Sequence, residues 1–362
     1  MNKIKVLEIV PTLSQTNGVA AYISNYYENI NKEKFEFTFL VVRDTTNKLR
    51  FEELENKGAK IVEIPLTKNI IKSKNQIDNF FRNNQFDIVH CNVPTLAFLY
   101  LKYAKKYNCK IRIIHSHGTK AGDTMLKNIR NRILIKYGIK YANTFFACSK
   151  AAGKSMFRNK KYTVIHNAIN YEKYEFNDSI RDEYRNAFNI NNNIVIGCIG
   201  RYTIQKNQKY LINVMKELNK LNKRFKLYII GGGLLENELK AEIDNSKLNE
   251  NVILLGARKD INNLYNMFDI FVMPSLYEGL PVVGIEAQVN GLNCIFSNNI
   301  TEEVSLSNNS VFLDIKKESV HKWVETLLNI KKERNDKKVL SKEYEIKYAT
   351  KRLEEIFENL IV

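Results

Sequence analysis

The chain has 362 residues, 44% of them apolar, five cysteines and a formal net charge of +17. That length suits two domains of roughly 150–200 residues each, and this apolar content builds ordinary cores, which excludes a disordered chain. Cys91, Cys109, Cys148, Cys198 and Cys294 stand singly, with no Cys-x-x-Cys, which argues against a disulfide framework or a zinc site and fits a reducing compartment.

Residues 4–10 read as a buried strand, a short run rich in Ile and Val. Glu8 and Pro11 cut that run too short for a signal peptide, and no run approaches the ~18 apolar residues of a membrane span. A loop carrying Asn17-Gly18 follows, then a helix over about 19–30. Strands are predicted at 37–42, 61–64, 87–90, 112–116, 144–148 and 163–165, with helices at 73–84, 95–107 and 125–141 between them. After a polar, Asn-rich linker at 170–192 the pattern restarts. Strands at 194–199, 226–230, 252–254, 270–273 and 293–297 alternate with helices at 207–221, 235–245, 260–267 and 280–290, and a helical tail begins near 341. Strands alternating with helices imply βαβ units and parallel sheets, here two doubly wound domains in tandem. Their expected limits are 1–170 and 171–340, with 341–362 a helix packing back on the first domain.

The charge is unevenly placed. Residues 1–165 hold 29 basic and 12 acidic residues, and residues 166–362 hold 27 of each. In 102–161, Asp123 is the one acid among sixteen Lys and Arg. Such asymmetry points to an anionic partner for the N-terminal half, nucleic acid or an acidic membrane surface. No nucleic-acid-binding module signature is present, and the aromatics are not concentrated in the basic stretch, which disfavours nucleic acid. Residues 125–141 interleave Leu126, Ile129, Ile133, Leu134 and Ile135 with Lys127, Arg130, Arg132, Lys136 and Lys140, the pattern of a basic amphipathic helix that can lie in an anionic membrane interface. A core-facing helix with a solvated basic face is the competing reading.

Ligands of open parallel sheets bind beyond the C-terminal ends of the strands. The loops with distinctive chemistry all fall there: Asn17-Gly18, His115-Ser116-His117-Gly118, Gly200-Arg201 with Gln205-Lys206 just after, Gly231-Gly232-Gly233, and Glu278-Gly279-Leu280-Pro281. Glu278 and Glu286 lie eight residues apart, Glu278 before a helix and Glu286 within it. A carboxylate can accept two hydroxyl hydrogen bonds at once, and charged acceptors make the stronger bonds. Arg201 as a planar fork and Lys206 as a point charge suit an anionic group at a strand end. There is no Asp-x-Asp, Walker loop, Gly-x-Ser-x-Gly, His-Glu-x-x-His or Gly-x-Gly-x-x-Gly. A metal-independent reaction with no bound cofactor is therefore expected.

The stretch Glu278-Gly279-Leu280-Pro281 followed by Glu286 resembles family 4 retaining glycosyltransferases, whose signature is two glutamates separated by seven residues, and more particularly the exopolysaccharide and capsule enzymes of bacteria. The resemblance covers nearly the whole chain and implies the GT-B fold, two Rossmann-like domains facing across a cleft. It implies that Glu278 binds hydroxyls of the donor sugar, that Glu286 binds the ribose hydroxyls, and that Arg201 and Lys206 hold the donor diphosphate. It places Gly18, Gly200, Gly232, Gly279 and Leu280 among the donor-binding positions, with Arg258 near the nucleotide base. A histidine near the donor sugar is expected at His117, with His115 pointing into the core at strand spacing. The Gly-Gly-x-Glu usual near Gly18 is here Asn17-Gly18-Val19-Ala20, so its first Gly and its Glu are absent. Cys148-Ser149-Lys150 and the stretch from Ile165 to Ile169 are read as structural.

The expected activity is transfer of a sugar from a nucleotide diphospho-sugar, UDP-linked by preference, to a saccharide acceptor on a lipid carrier. The expected place is the cytoplasm, peripherally on the inner face of the cell membrane. A sugar-nucleotide epimerase of the same fold, and a non-catalytic protein that binds nucleic acid or a partner, are the alternatives.

Overall fold

The structure is a computed structural model that describes residues 3–13, 18–42, 49–65, 69–122, 124–306, 310–334 and 340–362. It divides into two compact units, residues 1–168 with 342–362, and residues 169–341. Asn17 and Asp123 lie outside the described residues.

Unit 1 alternates β1 (Ile4–Val10), α1 (Gly18–Asn29), β2 (Phe35–Val41), α2 (Leu49–Glu55), β3 (Lys60–Glu63), α3 (Ile70–Asn83), β4 (Ile88–Cys91) and α4 (Ala97–Lys106). It continues with β5 (Ile111–Ser116), α5 (Met125–Ile139), β6 (Thr144–Ala147), α6 (Lys150–Phe157) and β7 (Thr163–Val164). All pairings are parallel, in the order β3-β2-β1-β4-β5-β6-β7. Parallel strands are covered on both faces and so read as near-continuous apolar runs. In β1, Val6, Leu7, Ile9 and Val10 are wholly buried, and Glu8 is buried among them.

Unit 2 runs α7 (Asp178–Ala187), β8 (Ile194–Ile199), α8 (Gln208–Leu221), β9 (Phe225–Ile230), α9 (Glu236–Asn245), β10 (Val252–Gly256) and α10 (Ile261–Met267). Then follow β11 (Ile270–Met273), α11 (Val282–Val289), β12 (Asn293–Ser297), β13 (Ser310–Leu313) and α12 (Val320–Asn329). Its sheet is again parallel, β10-β9-β8-β11-β12-β13. The last helix, α13 (Ile346–Ile361), returns to unit 1, where Ile346, Leu353 and Phe357 join the core cluster that contains Phe35 and Phe146.

Both sheets reverse their winding beside the first strand, between β1 and β4 in unit 1 and between β8 and β11 in unit 2. Loops leaving the two strands at such a switch point diverge and leave a crevice between them, the usual ligand position in open α/β sheets.

The predicted strands and most predicted helices are present within a few residues of their expected ends. The stretch 170–192 is corrected: it is not a bare linker but contains α7, capped where Asn177 Oδ1 accepts from Ile180 N at 3.1 Å. The inner face of α7 is polar, which hid it from a search for apolar periodicity. Arg185 is buried against Asp269 at 3.2 Å and donates to the carbonyls of Met267 and Ile190. Helices α2, α6 and α12 and strand β13 were also unforeseen. The first two are short, seven and eight residues, and such segments carry too few turns to show a period.

Candidate functional site

In unit 2 the chemistry gathers at the switch point. β8 ends at Ile199, and Gly200 follows with its N–H donating to Ile230 O on β9. A side chain at Gly200 would press on Lys206, its Cβ 3.1 Å from Lys206 Cδ. Gly231 and Gly233 hold φ of +152° and +156°, and a Cβ on either would lie 2.1 Å from Gly200 O or 2.5 Å from Tyr202 O. Only glycine fits, so two strand-end loops meet as bare backbone. Gly232 between them accepts from Tyr202 N.

The turn after Gly200 carries Gln205 and Lys206 to the loop that follows β11. Lys206 Nζ lies 2.7 Å from Glu278 Oε1, and Gln205 Nε2 reaches Glu278 Oε2 at 3.3 Å and Tyr277 O at 3.0 Å. Asn207, at φ +54°, donates from Nδ2 to Pro274 O, and Leu276 N donates to Gln205 O. Both charged side chains of the pair are mostly buried, 16% and 10% exposed. Arg201, one residue past the strand end, is exposed.

Gly279 and Leu280 are buried and lead through Pro281 into α11, whose first turn carries no acid. Glu286 sits one turn into that helix, buried. Its Oε2 accepts from the Tyr265 hydroxyl at 2.7 Å, and the Tyr174 phenol lies close enough to the same carboxylate to lower its pKa. Burial raises its pKa above the ordinary 4.5, and these two phenols offset part of that rise. Glu278 and Glu286 therefore occupy separate environments, one paired with a cation and one with two phenols. Arg258 is held in a forked ion pair with Asp260, at 2.8 and 2.6 Å, just past β10.

Unit 1 holds a second polar cluster at its own switch point. Glu8 on β1, His90 on β4, Asn92 just after β4, and His115 and His117 at the end of β5 join in one network. Glu8 Oε1 is 2.9 Å from His90 Nδ1, and Glu8 Oε2 accepts from Asn92 Nδ2 at 2.6 Å. His90 Nε2 is 3.0 Å from His115 Nδ1, and His117 Nε2 is 2.8 Å from Asn92 Oδ1. The His115 and His117 rings stack with centroids 4.0 Å apart, and the Tyr22 ring lies 5.2 Å from each. His115 is wholly buried, whereas His117 is partly exposed. Desolvation, and next the neighbouring His90, push the His117 imidazole down to about 3, so it is neutral near pH 7. Gly18 opens α1, and a Cβ there would meet none of the described atoms within 4 Å.

The residues that sequence reading missed are Glu8, His90, Asn92, Tyr174 and Tyr265. Glu8 was visible as one charged residue in an apolar strand, a costly placement without partners. The two tyrosines gave no signal, since each lies at a position where a buried aromatic is ordinary.

Helix α5 is an exposed basic element of unit 1. Met125, Ile129, Ile133 and Tyr137 recur every fourth residue and are 80%, 48%, 52% and 51% exposed, with Leu126 beside them at 82%. The helix seats itself through Ile135 and Gly138, where a Cβ at 138 would lie 2.8 Å from Ala97 Cβ. Its apolar stripe thus faces outward together with Lys127, Arg130, Arg132 and Lys136. Beside it lies a cavity of about 430 Å³ whose lining includes Arg132, Lys136, Arg158, Ile139, Met156 and Phe157.

Among the described residues no group of three or more His, Cys, Asp or Glu is placed to hold a metal ion, and no helix is long and apolar enough to cross a membrane.

Two Rossmann-like domains with paired loops at each switch point define the GT-B class of glycosyltransferase fold. The C-terminal part, residues 180–347, matches the model for glycosyl transferases group 1, and residues 16–173 match that for glycosyltransferase family 4. The chain belongs to this glycosyltransferase family. It is 29% identical to EpsF of Bacillus subtilis, a protein named for glycosyltransferase activity, over 89% of this chain and 86% of that one. It is 27% identical to the UDP-Gal:alpha-D-GlcNAc-diphosphoundecaprenol alpha-1,3-galactosyltransferase of Escherichia coli, over 82% and 80%. Among solved structures, Anabaena HepE in complex with UDP-glucose superposes with a TM-score of 0.82 at 16% identity, covering 98% of this chain and all of that one.

Proposed function

We propose that the chain is a retaining glycosyltransferase that moves a hexose from a UDP-linked donor to a lipid-linked saccharide during synthesis of a bacterial surface polysaccharide. One observation carries this reading. Lys206 and Glu278 form a shielded pair at the switch point of unit 2, beside backbone left bare by Gly200, Gly231 and Gly233. Bare backbone and a cation suit a diphosphate, and a carboxylate suits sugar hydroxyls.

Glu286 takes the ribose hydroxyls. The Tyr265 hydroxyl holds the carboxylate in one orientation. Arg201 and Lys206, with the N-terminus of α11, meet the charge that grows on the diphosphate as the bond to the sugar C1 breaks. The acceptor hydroxyl attacks C1 on the face the diphosphate leaves, and its proton passes to the departing phosphate oxygen. No metal is required. In unit 1, His117 accepts a hydroxyl of the bound sugar.

The relatives support the donor and acceptor classes. One is named for UDP-galactose and a diphosphoundecaprenol acceptor, and a structural neighbour was crystallised with UDP-glucose. The outward apolar stripe of α5, flanked by basic residues, supports peripheral docking on the cytoplasmic leaflet.

The test is a panel of UDP- and GDP-sugars, reading nucleotide diphosphate release with and without a polyprenyl-diphosphate saccharide, and the anomeric configuration of the product. Acceptor-dependent UDP release with an α-linked product from an α-linked donor is expected. Release from GDP-sugars alone, or a β-linked product, overturns the reading.

A further inference from the structure

The polar cluster of unit 1 has an internal logic. Glu8 offers acceptors at both carboxylate oxygens, and the Asn92 amide must present its NH2 to one of them, at 2.6 Å from Oε2. That fixes the other end of the amide: Asn92 Oδ1, which can only accept, faces His117 Nε2 at 2.8 Å. The contact is a hydrogen bond only if His117 carries its proton on Nε2. We propose that Glu8, acting through Asn92, is a positioning residue that holds His117 in its Nε2–H tautomer, so that Nδ1 is presented as a hydrogen-bond acceptor toward a hydroxyl of the bound sugar.

The pKa of His117, about 3, leaves its ring a single proton to place. Nδ1 has no hydrogen-bond partner among the described residues. The ring cannot turn freely, since His115 stacks on it at 4.0 Å and Tyr22 closes a second side.

The same carboxylate orders the other two imidazoles. His90 Nδ1–H donates to Glu8 Oε1, which leaves His90 Nε2 to accept from His115 Nδ1–H at 3.0 Å. His115 Nε2 is then bare, and it is a buried nitrogen with no partner. His115 is itself held neutral, by burial first and then by His117 and His90. A buried ring with an unmatched nitrogen costs stability. The structure keeps it as the platform under His117, which a smaller or aliphatic residue would not supply. The sugar contact rests on the glycosyl-transfer reading, whereas the tautomer does not.

The experiment labels the five histidines with 15N and records long-range proton–nitrogen correlations near pH 7, assigning peaks through single His→Gln variants. His117 is expected with its proton on Nε2, and His90 and His115 with theirs on Nδ1. Glu8→Gln places an amide where the carboxylate accepted, and Asn92→Leu removes the link while keeping Glu8 against His90. Each should give averaged His117 nitrogen shifts and lower kcat/KM for transfer by about tenfold or more, with UDP affinity unchanged. Should Glu8→Gln fail to fold, Asn92→Leu and the wild-type spectrum still decide. A wild-type His117 protonated on Nδ1, or mixed, overturns the proposal. So does a scrambled His117 in both variants with transfer undiminished. If no donor is turned over, the functional reading fails, and the spectrum alone confirms or refutes the tautomer.

Discussion

Lys206 Nζ stands 2.7 Å from Glu278 Oε1, joining residues 72 apart in sequence across the loops that leave neighbouring strands β8 and β11. The pair sets both the position and the cost of its charges. Lys206→Ala takes the cation away from the nearly buried Glu278 carboxylate. Turnover should fall by about 10²–10³, the usual loss when one transition-state charge partner is removed, and by more than donor affinity falls. The melting temperature should drop as well, and Lys206→Met with Glu278→Gln should recover much of it without restoring activity. Arg201→Ala, at an exposed side chain, should lower kcat with the melting temperature unchanged. Steady-state kinetics beside calorimetric UDP affinity separate these. Unchanged kcat in both single variants would reduce the two cations to ground-state anchors.

Glu286 couples binding to pH. Its folded-state pKa is raised above 4.5 by burial, so the folded chain holds that proton more tightly than the unfolded one. The resulting stability is present in full below the unfolded value and is lost as pH climbs through the raised native value. Two outcomes are expected. UDP affinity should weaken as pH falls through that raised pKa, at a higher pH than an ordinary glutamate gives. Glu286→Gln should melt higher than the wild type at pH 7 yet bind UDP more weakly, by about 1–3 kcal/mol. Equal UDP affinity in the variant would remove the ribose assignment.

Gly231 tests the bare backbone directly. At φ +152°, with a Cβ 2.1 Å from Gly200 O, alanine there must displace the end of β8. Gly231→Ala should cost about 1–3 kcal/mol of stability and should weaken UDP binding. Gly232→Ala, whose Cβ would meet Ala257 at 3.9 Å, should be tolerated by the fold. The contrast is read by thermal melting of the two variants side by side. Matching melting curves would mean that the strand-end contact does not constrain the loop.

On the proposed reading, in which Arg201, Lys206 and backbone meet the diphosphate, transfer should persist in EDTA. Loss of activity that returns with Mg²⁺ or Mn²⁺ would show that a metal shares this charge.

Much of the fold was readable because its strands are buried on both faces. β8 and β11 are continuous apolar runs and β1 and β12 are mostly apolar, and that composition needs no partner information. Helix α7 was not readable, because Arg185 and Arg181 pair with Asp269 from another part of the chain, and a helix that buries arginine looks like a linker until its partner is known. The candidate site divides the same way. Lys206 and Glu278 were named from the family resemblance, with strand-end position and charge type in agreement. Glu8 was noticed only as an interruption of an apolar run, since its meaning depends on His90 and Asn92, more than eighty residues away.

The last prediction concerns α5. The apolar residues of this helix divide: Ile135 turns inward and Leu134 and Ile139 are half-buried, whereas Met125, Leu126, Ile129 and Ile133 are all about half exposed or more. Only Ile135 and Gly138 are buried. An outward apolar stripe flanked by Lys127, Arg130, Arg132 and Lys136 calls for an amphiphilic anionic surface. Each basic residue close to an anionic bilayer contributes about 1 kcal/mol, decaying within a Debye length of about 8 Å at physiological salt. The apolar stripe adds a term that salt does not screen. Binding to vesicles with anionic lipid should therefore weaken with salt without vanishing, and binding to neutral vesicles should be much weaker. Replacing Lys127, Arg130 and Arg132 with Glu should release the protein from anionic vesicles at low salt. Replacing Leu126 and Ile129 with Ser should leave binding but make it fully salt-sensitive. In both variants, transfer to a short water-soluble acceptor should survive, because α5 holds none of the residues assigned to the donor. Co-flotation at two salt concentrations reads all four outcomes. Equal flotation of the wild type with neutral and anionic vesicles, or with neither, would leave the basic half of the chain to a different anionic partner.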